Sequence, residues 1–347
     1  MSFPRYPAYK DSGVEWLGEV PGHWGAAPLK TVSTHKDDVL DESTAPETEI
    51  AYVDISSVDS VNGIRAKEDM LFAVAPSRAR RRVKHGDVIV STVRTHLKAI
   101  ARIRNPEENL VVSTGFVVIR PRGDLAPDFL GHLVSAGFFV DQVIARSTGV
   151  SYPAINASEL VAIPVPVPPL SEQTQIATFL DRETAKIDAL VAEQRRLMAL
   201  LKEKRQAVIS HAVTKGLNPD APMKPSGVEW LGEVPAHWKV KRLRDVANLN
   251  PSKSEIASWA RDSFVSFLPM SAIGESHMYG AGGQKRIPDD FVRNFATGFP
   301  PFTVQAAIAA FLDVELSKFD TLTAQAQRAI DLLQERRTAL ISAAVTG

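Results

Sequence analysis

The sequence predicts an α+β protein in which globular α/β domains are joined by two long helices that form an antiparallel coiled coil. Two observations carry this prediction. A segment with apolar residues at alternating steps of four and three occurs twice along the chain. The stretch before its first copy contains short β-rich runs that glycine and proline interrupt, without a simple βαβ alternation. We therefore expect an irregular mixture of helix and strand beside a helix pair.

A tryptophan-containing motif near the start of the chain is repeated in its second half. Ser12–Trp24 (SGVEWLGEVPGHW) recurs as Ser226–Trp238 (SGVEWLGEVPAHW), with 12 identities in 13 positions. The motif could be a ligand site, but its apolar residues suit anchors that tie the entering chain to the body of each repeat. The repeating unit is therefore this motif, a globular region and a long helix.

The first globular region, residues 1–167, contains several short runs of β-forming residues. Alternation and β-branched residues predict strands in Ile50–Ser56, Asp87–Val93, Ala99–Ile103 and Phe116–Ile119. Helical spacing follows in Pro127–Ala145, and then the polar loop STGVSYPAI at residues 147–155. We expect this region to be an irregular α+β domain.

Positive charge is concentrated in one part of this region. Ser77–Arg104 holds nine lysines and arginines against the single carboxylate of Asp87, in a chain with 40 basic and 40 acidic residues. Such a patch suits a nucleic-acid backbone, although a basic run is also common on an ordinary solvated face. The candidate phosphate or guanine contacts are Arg80, Arg81, Arg82, Lys84, Arg94 and Lys98. The candidate polar contacts nearby are Ser91, Thr92, Thr95, Ser147, Thr148 and Tyr152, the last three of which suit a purely structural turn equally well.

The long helices are expected at residues 168–216 and 300–347. Pro168–Thr214 and Pro300–Thr346 share 24 of 47 residues, which indicates a duplication. The expected seams consist of Ile176, Leu180, Ile187, Leu190, Leu197, Leu201 and Val208 in the first copy, and of Ile308, Leu312, Phe319, Leu322, Ala329, Leu333 and Leu340 in the second. A narrow seam needs one partner helix, and each copy supplies it to the other.

The second globular region, residues 217–299, is 82 residues shorter than the first between the tryptophan motif and the helix. Ser266–Ile273 aligns loosely with residues 51–58, but the counterpart of residues 87–167 is absent. A half domain would leave strand edges and apolar surface uncovered. We expect the chain either to read one half-site with its first domain or to pair with a second copy of itself.

The sequence does not favour an enzyme. Phe299-Pro300-Pro301-Phe302 lacks the asparagine or aspartate of the tetrapeptide that amino-methyltransferases use, and the glycine-rich Gly280–Gly283 has no strand before it. The histidines show no metal-ligand spacing, so no metal site is expected. The chain has no cysteine and no apolar run of membrane-spanning length, which fits a cytoplasmic protein without a membrane partner.

The combination of motifs resembles the specificity subunit of type I restriction-modification systems. The resemblance rests on the GVEWLGEVPxHW entry, HGDVIVSTVR, STGVSYPAIN and the IPVPVPPLSEQTQIATFLDRETAKIDAL helix, and it covers nearly the whole chain. It implies target recognition domains that read double-stranded DNA, and helices that bind modification (methyltransferase) subunits and so recruit a restriction subunit. S-adenosylmethionine would then be bound by the modification subunits, with no cofactor on this chain.

Two other functions stay open from the residues. One is a coiled-coil decoy that binds modification subunits without reading DNA. The other is a competent methyltransferase, which would itself bind S-adenosylmethionine.

Overall fold

The computed structural model describes residues 6–35, 38–247 and 289–347. The chain divides into two compact units, unit 1 with residues 1–194 and 327–347 and unit 2 with residues 195–326. Each unit contains part of both long helices. The division into four consecutive segments that the sequence predicts, residues 1–167, 168–216, 217–299 and 300–347, stays a prediction. Within the described ranges, no helix combines the length and apolar character needed to cross a bilayer.

The helices are α1 (Leu29–Val32), α2 (Pro127–Ser135), α3 (Gly137–Ala145), α4 (Ala157–Leu160), α5 (Leu170–Lys215), α6 (Asp289–Asn294) and α7 (Phe302–Thr346). The strands of unit 1 are β1 (Tyr9–Asp11), β2 (Glu19–Pro21), β3 (Gly25–Pro28), β4 (Ser33–Thr34), β5 (Glu49–Val53), β6 (Val58–Asp59), β7 (Gly63–Ile64), β8 (Glu68–Leu71), β9 (Ala79–Arg82), β10 (Val88–Ser91), β11 (Ile100–Arg102), β12 (Leu110–Ser113), β13 (Phe116–Pro121) and β14 (Pro164–Val167). The strands of unit 2 are β15 (Met223–Pro225), β16 (Glu233–Pro235), β17 (Lys239–Arg242) and β18 (Ala296–Phe299).

Two four-stranded sheets form the globular part of unit 1. The first has the order β11-β10-β13-β4 and is antiparallel throughout. The second has the order β8-β5-β12-β9, in which β5 and β12 are parallel and the other two pairs are antiparallel. This mixed arrangement confirms the expected α+β class.

Alternate residues of the central strands face different layers of the core, as the two-residue period of a strand requires. On β10, Val88 and Val90 pack with α2 and α3, whereas Ile89 packs between the two sheets. Strand β5 divides its residues in the same way between the inner layer and an outer cluster. The first sheet is therefore covered on both faces, which explains why β10 and β13 are continuous apolar runs.

The tryptophan motif of unit 1 forms a hairpin that docks on the start of α5. Strands β1 and β2 pair, and the side chain of Trp24 behind them is fully buried. The Glu172 carboxylate accepts hydrogen bonds from Trp24 Nε1 (3.0 Å), His23 Nε2 (2.7 Å) and the Tyr6 hydroxyl (3.1 Å). Burial and the neighbouring Glu172 carboxylate raise the pKa of Tyr6 to about 12. The motif thus anchors the chain, and Trp24 is its central residue.

Unit 2 repeats this hairpin with β15 and β16, and Trp238 is likewise buried, against Ala212 and Ile308. Its indole Nε1, however, has no hydrogen-bond partner among the described residues. The position that repeats Glu172 is occupied by Val304, which packs against this cluster and cannot accept a hydrogen bond. The apolar part of the anchor is therefore kept in unit 2, and the polar part is lost.

Burial along α5 follows an unbroken heptad seam. The buried or half-buried positions advance in alternating steps of four and three: Leu180, Thr184, Ile187, Val191, Gln194, Met198, Leu201, Arg205, Val208 and Ala212. The expected seam was wrong at Leu190 and Leu197, which are 52% and 42% exposed, because the adjacent Val191 and Met198 face the partner instead. On α7, Leu322 is similarly exposed, and the more deeply buried neighbour of Ala329 is Ile330.

Within each unit, the segments of α5 and α7 run antiparallel. In unit 1, Asp188 Oδ1 accepts from Arg337 Nε at 3.0 Å, while the earlier Leu180 of α5 shares a core with the later Val345 of α7. In unit 2, Arg205 lies 3.8 Å from Asp320, and Ala212 further along α5 packs with the earlier Ile308 of α7. Contacts therefore move backward along one helix as they move forward along the other, which confirms the expected helix pair.

The helix expected at Pro127–Ala145 is instead two helices, α2 and α3, with a break at Ala136. Ala136 has extended dihedrals, and the following Gly137 donates its N–H to Ser342 Oγ of α7 at 3.0 Å. A Cβ at Gly137 would lie 3.3 Å from that oxygen. Close approach to α7 thus accounts for the break. Ser266–Ile273 and Gly280–Gly283 lie outside the described residues.

Candidate nucleic-acid interface

Two loops of unit 1 meet at one end of strand β10. The first loop, residues 92–98, continues from Ser91, and the second, residues 147–155, follows α3. We call residues 92–98 and 147–155 together the double-loop surface. It contains seven of the twelve candidate contacts proposed from the sequence: Thr92, Arg94, Thr95, Lys98, Ser147, Thr148 and Tyr152.

Hydrogen bonds hold the two loops together. Thr95 Oγ1 and Ser147 Oγ are 2.8 Å apart, and Ser147 Oγ also donates to the Val143 carbonyl of α3 at 2.7 Å. The backbone N–H of Ile155 donates to the Thr92 carbonyl at 2.9 Å. Residues 52 positions apart in the sequence are thereby fixed in one surface.

Several candidate hydroxyls have their bonding capacity used inside the protein. Ser91 and Thr95 are buried, and the Ser91 hydroxyl donates to the Val93 carbonyl. Thr92 Oγ1 donates to the Gly115 carbonyl at 2.9 Å. As DNA contacts these residues stay predictions, but their observed contacts position the loops, because a buried hydroxyl needs an internal partner.

The exposed residues of the double-loop surface suit a nucleic acid better. The Arg94 guanidinium lies over the Tyr152 ring, 5.0 Å from its centroid, and Tyr152 is 65% exposed. Lys98 and Thr148 are also exposed. A cation stacked on an aromatic ring keeps its N–H donors free at the edge, where they can reach phosphates or bases.

The backbone of the first loop is strained at its charged residues. Arg94 and Lys98 adopt left-handed dihedrals, with φ of 52° and 51°, on either side of a short 3₁₀ turn. Such conformations cost non-glycine residues roughly 1–2 kcal/mol and cluster at functional sites. In this turn they place both cations on the exposed side of the loop.

A fully exposed apolar residue joins these cations and was missed from the sequence. Val150 is completely exposed between Thr148 and Tyr152. The backbone of Thr148 pairs with that of Ala154 in both directions, at 2.8 and 2.9 Å, which closes the neck of the loop beneath Val150. A valine within STGVSYPAI carries no charge or periodicity signal, so only its position in the structure identifies it.

The arginine strand lies elsewhere. Arg80, Arg81 and Arg82 belong to β9 of the second sheet, not to the sheet of β10. The Arg80 guanidinium stacks on the Phe72 ring at 4.5 Å, whereas Arg82 is exposed. The two parts of the expected basic patch therefore belong to different sheets.

Ion pairs neutralise part of the basic segment. Lys84 Nζ lies 3.3 Å from Asp38, and Arg78 lies 3.0 Å from Asp54. Arg102 and Arg104 also have carboxylate partners, outside the double-loop surface. Interpreting all nine cations as one patch was thus wrong, because a charge count cannot include carboxylates that arrive from distant parts of the chain.

Arg102 and Arg104 belong to a polar cluster around the buried His132, where α2 and β11 meet α5. Asp181 accepts hydrogen bonds from Arg102 Nη1 (2.8 Å), Arg104 Nη2 (2.7 Å) and His132 Nε2 (2.7 Å). Burial alone would raise the pKa of Asp181, but these bonds lower it well below its usual range. Burial, aided by the charge of Arg102, lowers the pKa of His132 despite the bond to Asp181. His132 is therefore neutral at pH 7.

A family model described as "Type I restriction modification DNA specificity domain" matches residues 79–197, which include the arginine strand, both loops and the first half of α5. Residues 79–197 are therefore similar to the DNA specificity domain of type I restriction-modification systems. The chain is a relative of type I specificity subunits, as the motifs in its sequence indicated.

Two curated relatives are both specificity subunits of type I restriction enzymes. The chain is 24% identical over 203 residues to that of StySPI from Salmonella potsdam, a match covering 57% of this chain and 44% of the relative. It is 23% identical over 269 residues to that of EcoKI from Escherichia coli K12, covering 75% and 56%. The matches thus span about half the length of these relatives.

Two solved structures share the fold. The HsdS subunit of Thermoanaerobacter tengcongensis matches with a TM-score of 0.55 and 22% identity, over 94% of this chain and 98% of that one. A chain from a structure concerned with complex assembly and conformational transition of the type I system matches with a TM-score of 0.65 and 23% identity, over the same shares. The long helices and the mixed sheets are therefore an arrangement found in solved HsdS-like chains.

Proposed function

We propose that this protein is the DNA-recognition subunit of a type I restriction-modification complex and that unit 1 reads one half of a split double-stranded target. The observation that carries the proposal is the double-loop surface, in which Arg94, Tyr152, Lys98 and Val150 are exposed on a tethered support within the specificity domain. In the major groove, an arginine can bind the edge of a guanine, and an aliphatic side chain can contact the methyl group of a thymine. Both contacts distinguish one base from another.

In this proposal the chain is not catalytic, and its partners carry out the reactions. Modification subunits that bind S-adenosylmethionine would dock on α5 and α7, and a restriction subunit would join the assembly. The relatives are named as specificity subunits, so the decoy alternative has no support from them. Because the target is chromosomal or incoming DNA, the proposal places the protein in the cytoplasm.

The proposal also concerns how many half-sites the chain reads. The shortened second region lacks a counterpart of residues 87–167, the part that contains both loops of the double-loop surface. We therefore propose that one chain reads one half-site. Reading of a second, identical half-site would need a second copy of the chain.

Selection from a library of randomised duplexes with the full-length protein tests the proposal. We expect one recurring half-site, or two identical ones if copies pair, and Tyr152→Ala should weaken binding of the selected duplex by about two- to fivefold, the effect of an exposed cation–π contact. Recovery of two different half-sites from a monomeric chain would contradict the single-reader proposal. Absence of any enriched sequence would contradict DNA recognition by this chain.

Arg182→Ala is the matched control. Arg182 is exposed on α5 and stacks on Phe179 at 5.6 Å, so it presents a comparable cation–π pair outside the double-loop surface. We expect this variant to bind the selected duplex like the wild type. An equal loss in both variants would show that the weakening does not depend on the double-loop surface.

A further inference from the structure

A polar cavity of about 180 Å³ lies in unit 1, between the β6–β7 turn, β11, α2 and the end of α7. No residue of the double-loop surface lines it. Three guanidinium groups line it, those of Arg102, Arg104 and Arg337. Ser60 and Ser135 also line it, and the Ser135 hydroxyl donates to the Gly131 carbonyl at 2.8 Å. A volume of this size holds several water molecules, each taking about 30 Å³ in the liquid, and so has room for a small oxyanion.

The carboxylates that balance these arginines lie behind the wall. Asp181 and Asp128 pair with Arg102 and Arg104, and Asp188 pairs with Arg337, but none of the three aspartates lines the cavity. The pairs hold the guanidinium groups in place. Fixed, pre-paired arginines form a better anion site than mobile ones because less side-chain entropy is lost on binding.

Donor groups remain for a ligand. Arg337 uses Nε for Asp188, Arg104 uses Nε and Nη2 for its aspartates, and Arg102 uses Nη1. Among the described residues, Nη1 and Nη2 of Arg337, Nη1 of Arg104 and Nη2 of Arg102 donate to no protein acceptor. The tetrahedral oxygens of a phosphate group are the acceptors that such forked donors bind best.

The local backbone also keeps this space open. Gly131 of α2 lies under Arg102, and a Cβ at this position would come within 1.9 Å of Arg102 Cδ. Any other residue at 131 would displace the Arg102 side chain from its place across the helix. Glycine thus allows Arg102 to reach Asp181 and the cavity wall together.

We propose that this cavity is a binding site for a phosphate group, held by Arg102, Arg104 and Arg337 where the recognition domain packs on the long helices. The phosphate belongs either to a free phosphate compound or to the backbone of bound DNA. Its occupant would bridge β11 of the domain and the end of α7, and so would stabilise their packing. The site is separate from the base-reading surface, and binding of a free phosphate compound there does not depend on the function proposed above.

Calorimetric titration of the full-length protein with inorganic phosphate, against chloride at matched ionic strength, tests the site. We expect saturable binding and a higher unfolding temperature in phosphate. Arg337→Lys should weaken phosphate binding, because lysine keeps a cation for Asp188 but loses the forked donors. Absence of saturable binding in the wild type would overturn the proposal.

Ser60 offers a variant that leaves the ion pairs intact. Its side chain makes no hydrogen bond among the described residues, so Ser60→Asp adds a carboxylate to the wall without removing a contact. We expect this variant to bind phosphate at least about tenfold more weakly through charge repulsion, and Ser60→Ala to bind like the wild type. Equal binding by Ser60→Asp would overturn the location. Competition by duplex DNA identifies the DNA backbone as the source, and simultaneous binding identifies a free phosphate compound.

Discussion

At the scale of single residues, the double-loop surface combines backbone strain with exposed charge. Arg94 holds a left-handed conformation, and its guanidinium is fixed over Tyr152. The neighbouring hydroxyls of Thr95 and Ser147 use their hydrogen bonds to join the loops. A residue type that suits DNA contact therefore has different roles here, depending on its burial.

The strain at Arg94 gives a prediction about stability. Arg94→Gly and Arg94→Ala both remove the guanidinium, but only glycine adopts φ of 52° without steric cost. We expect the glycine variant to be more stable than the alanine variant by about 1 kcal/mol, while both lose DNA affinity equally. Chemical denaturation and duplex titration measure the two effects. Equal stability of the two variants would contradict strain at this position.

His132 predicts a dependence of stability on pH. Its pKa is lowered by burial in the folded protein, so the unfolded chain binds more protons as the pH falls below the ordinary histidine pKa of 6.5. Stability should therefore decrease on acidification from that pH, and Asp181, whose pKa is also lowered, should add a further loss below 3.8.

Unfolding temperatures measured between pH 7 and pH 5 check this prediction. His132→Gln cannot titrate in this range, so its unfolding temperature should change less with pH than that of the wild type. His35→Gln serves as a control, because His35 lies outside the polar cluster around Asp181. An unchanged pH dependence in His132→Gln would rule out this histidine as its cause.

At the scale of elements, the duplicated anchors differ by one side chain. Glu172 accepts the Trp24 indole N–H in unit 1, whereas in unit 2, with Val304 at the repeated position, the Trp238 indole N–H has no acceptor in the part of the chain that the structure describes. A buried donor without an acceptor costs roughly 1–3 kcal/mol. The duplication thus predicts opposite effects for reciprocal exchanges.

We expect Glu172→Val to destabilise unit 1 by about 1–3 kcal/mol, because it leaves the indole of Trp24 unpaired. Val304→Glu should stabilise unit 2 by a smaller amount, since the new hydrogen bond is offset by lost apolar packing at Val304. Amide hydrogen exchange of the two hairpins reports each unit separately. Destabilisation of unit 2 by Val304→Glu would show that packing outweighs the missing hydrogen bond.

The helix seam supplies a second test at this scale. Val191 is 7% exposed and the adjacent Leu190 is 52% exposed. We expect Val191→Ala to cost about 1–2 kcal/mol and Leu190→Ala less than about 0.5 kcal/mol, because only the first removes buried methyl groups. Thermal unfolding of the pair measures this difference. A larger loss for Leu190→Ala would place the seam one residue earlier.

At the scale of the whole molecule, the chain has no net charge, so the proposed DNA affinity must come from local groups. Because Lys84, Arg78, Arg102 and Arg104 are ion-paired, fewer cations face a phosphate backbone than the sequence contains. The salt dependence of binding counts the phosphates that are neutralised.

We therefore expect a modest slope of log K against log salt for the full-length protein, and Lys98→Ala should reduce it by about one. Lys84→Ala should change it less, since Lys84 is already paired with Asp38. Duplex titrations at several salt concentrations provide the slopes. Equal slopes for Lys84→Ala and Lys98→Ala would show that the Asp38 pair opens on binding DNA.

Much of the architecture could be read from the sequence because its signals are local. Periodicity indicated the two long helices, and β-branched runs indicated β5, β10, β11 and β13. Strands β9 and β14 were missed because arginine and proline obscure their pattern. The break at Ala136 was missed because its cause, Ser342, lies far along the chain.

The sequence by itself determined the duplication, the α+β class, the coiled-coil helices and the family resemblance. Only the tertiary structure decided which of two adjacent apolar residues faces the partner helix, which arginines are neutralised, and which loops share a surface. These features depend on contacts between distant residues, such as Arg102 with Asp181 and Thr95 with Ser147. The order of residue types along the chain limits the interactions that each side chain can make. The fold decides which partner each side chain contacts.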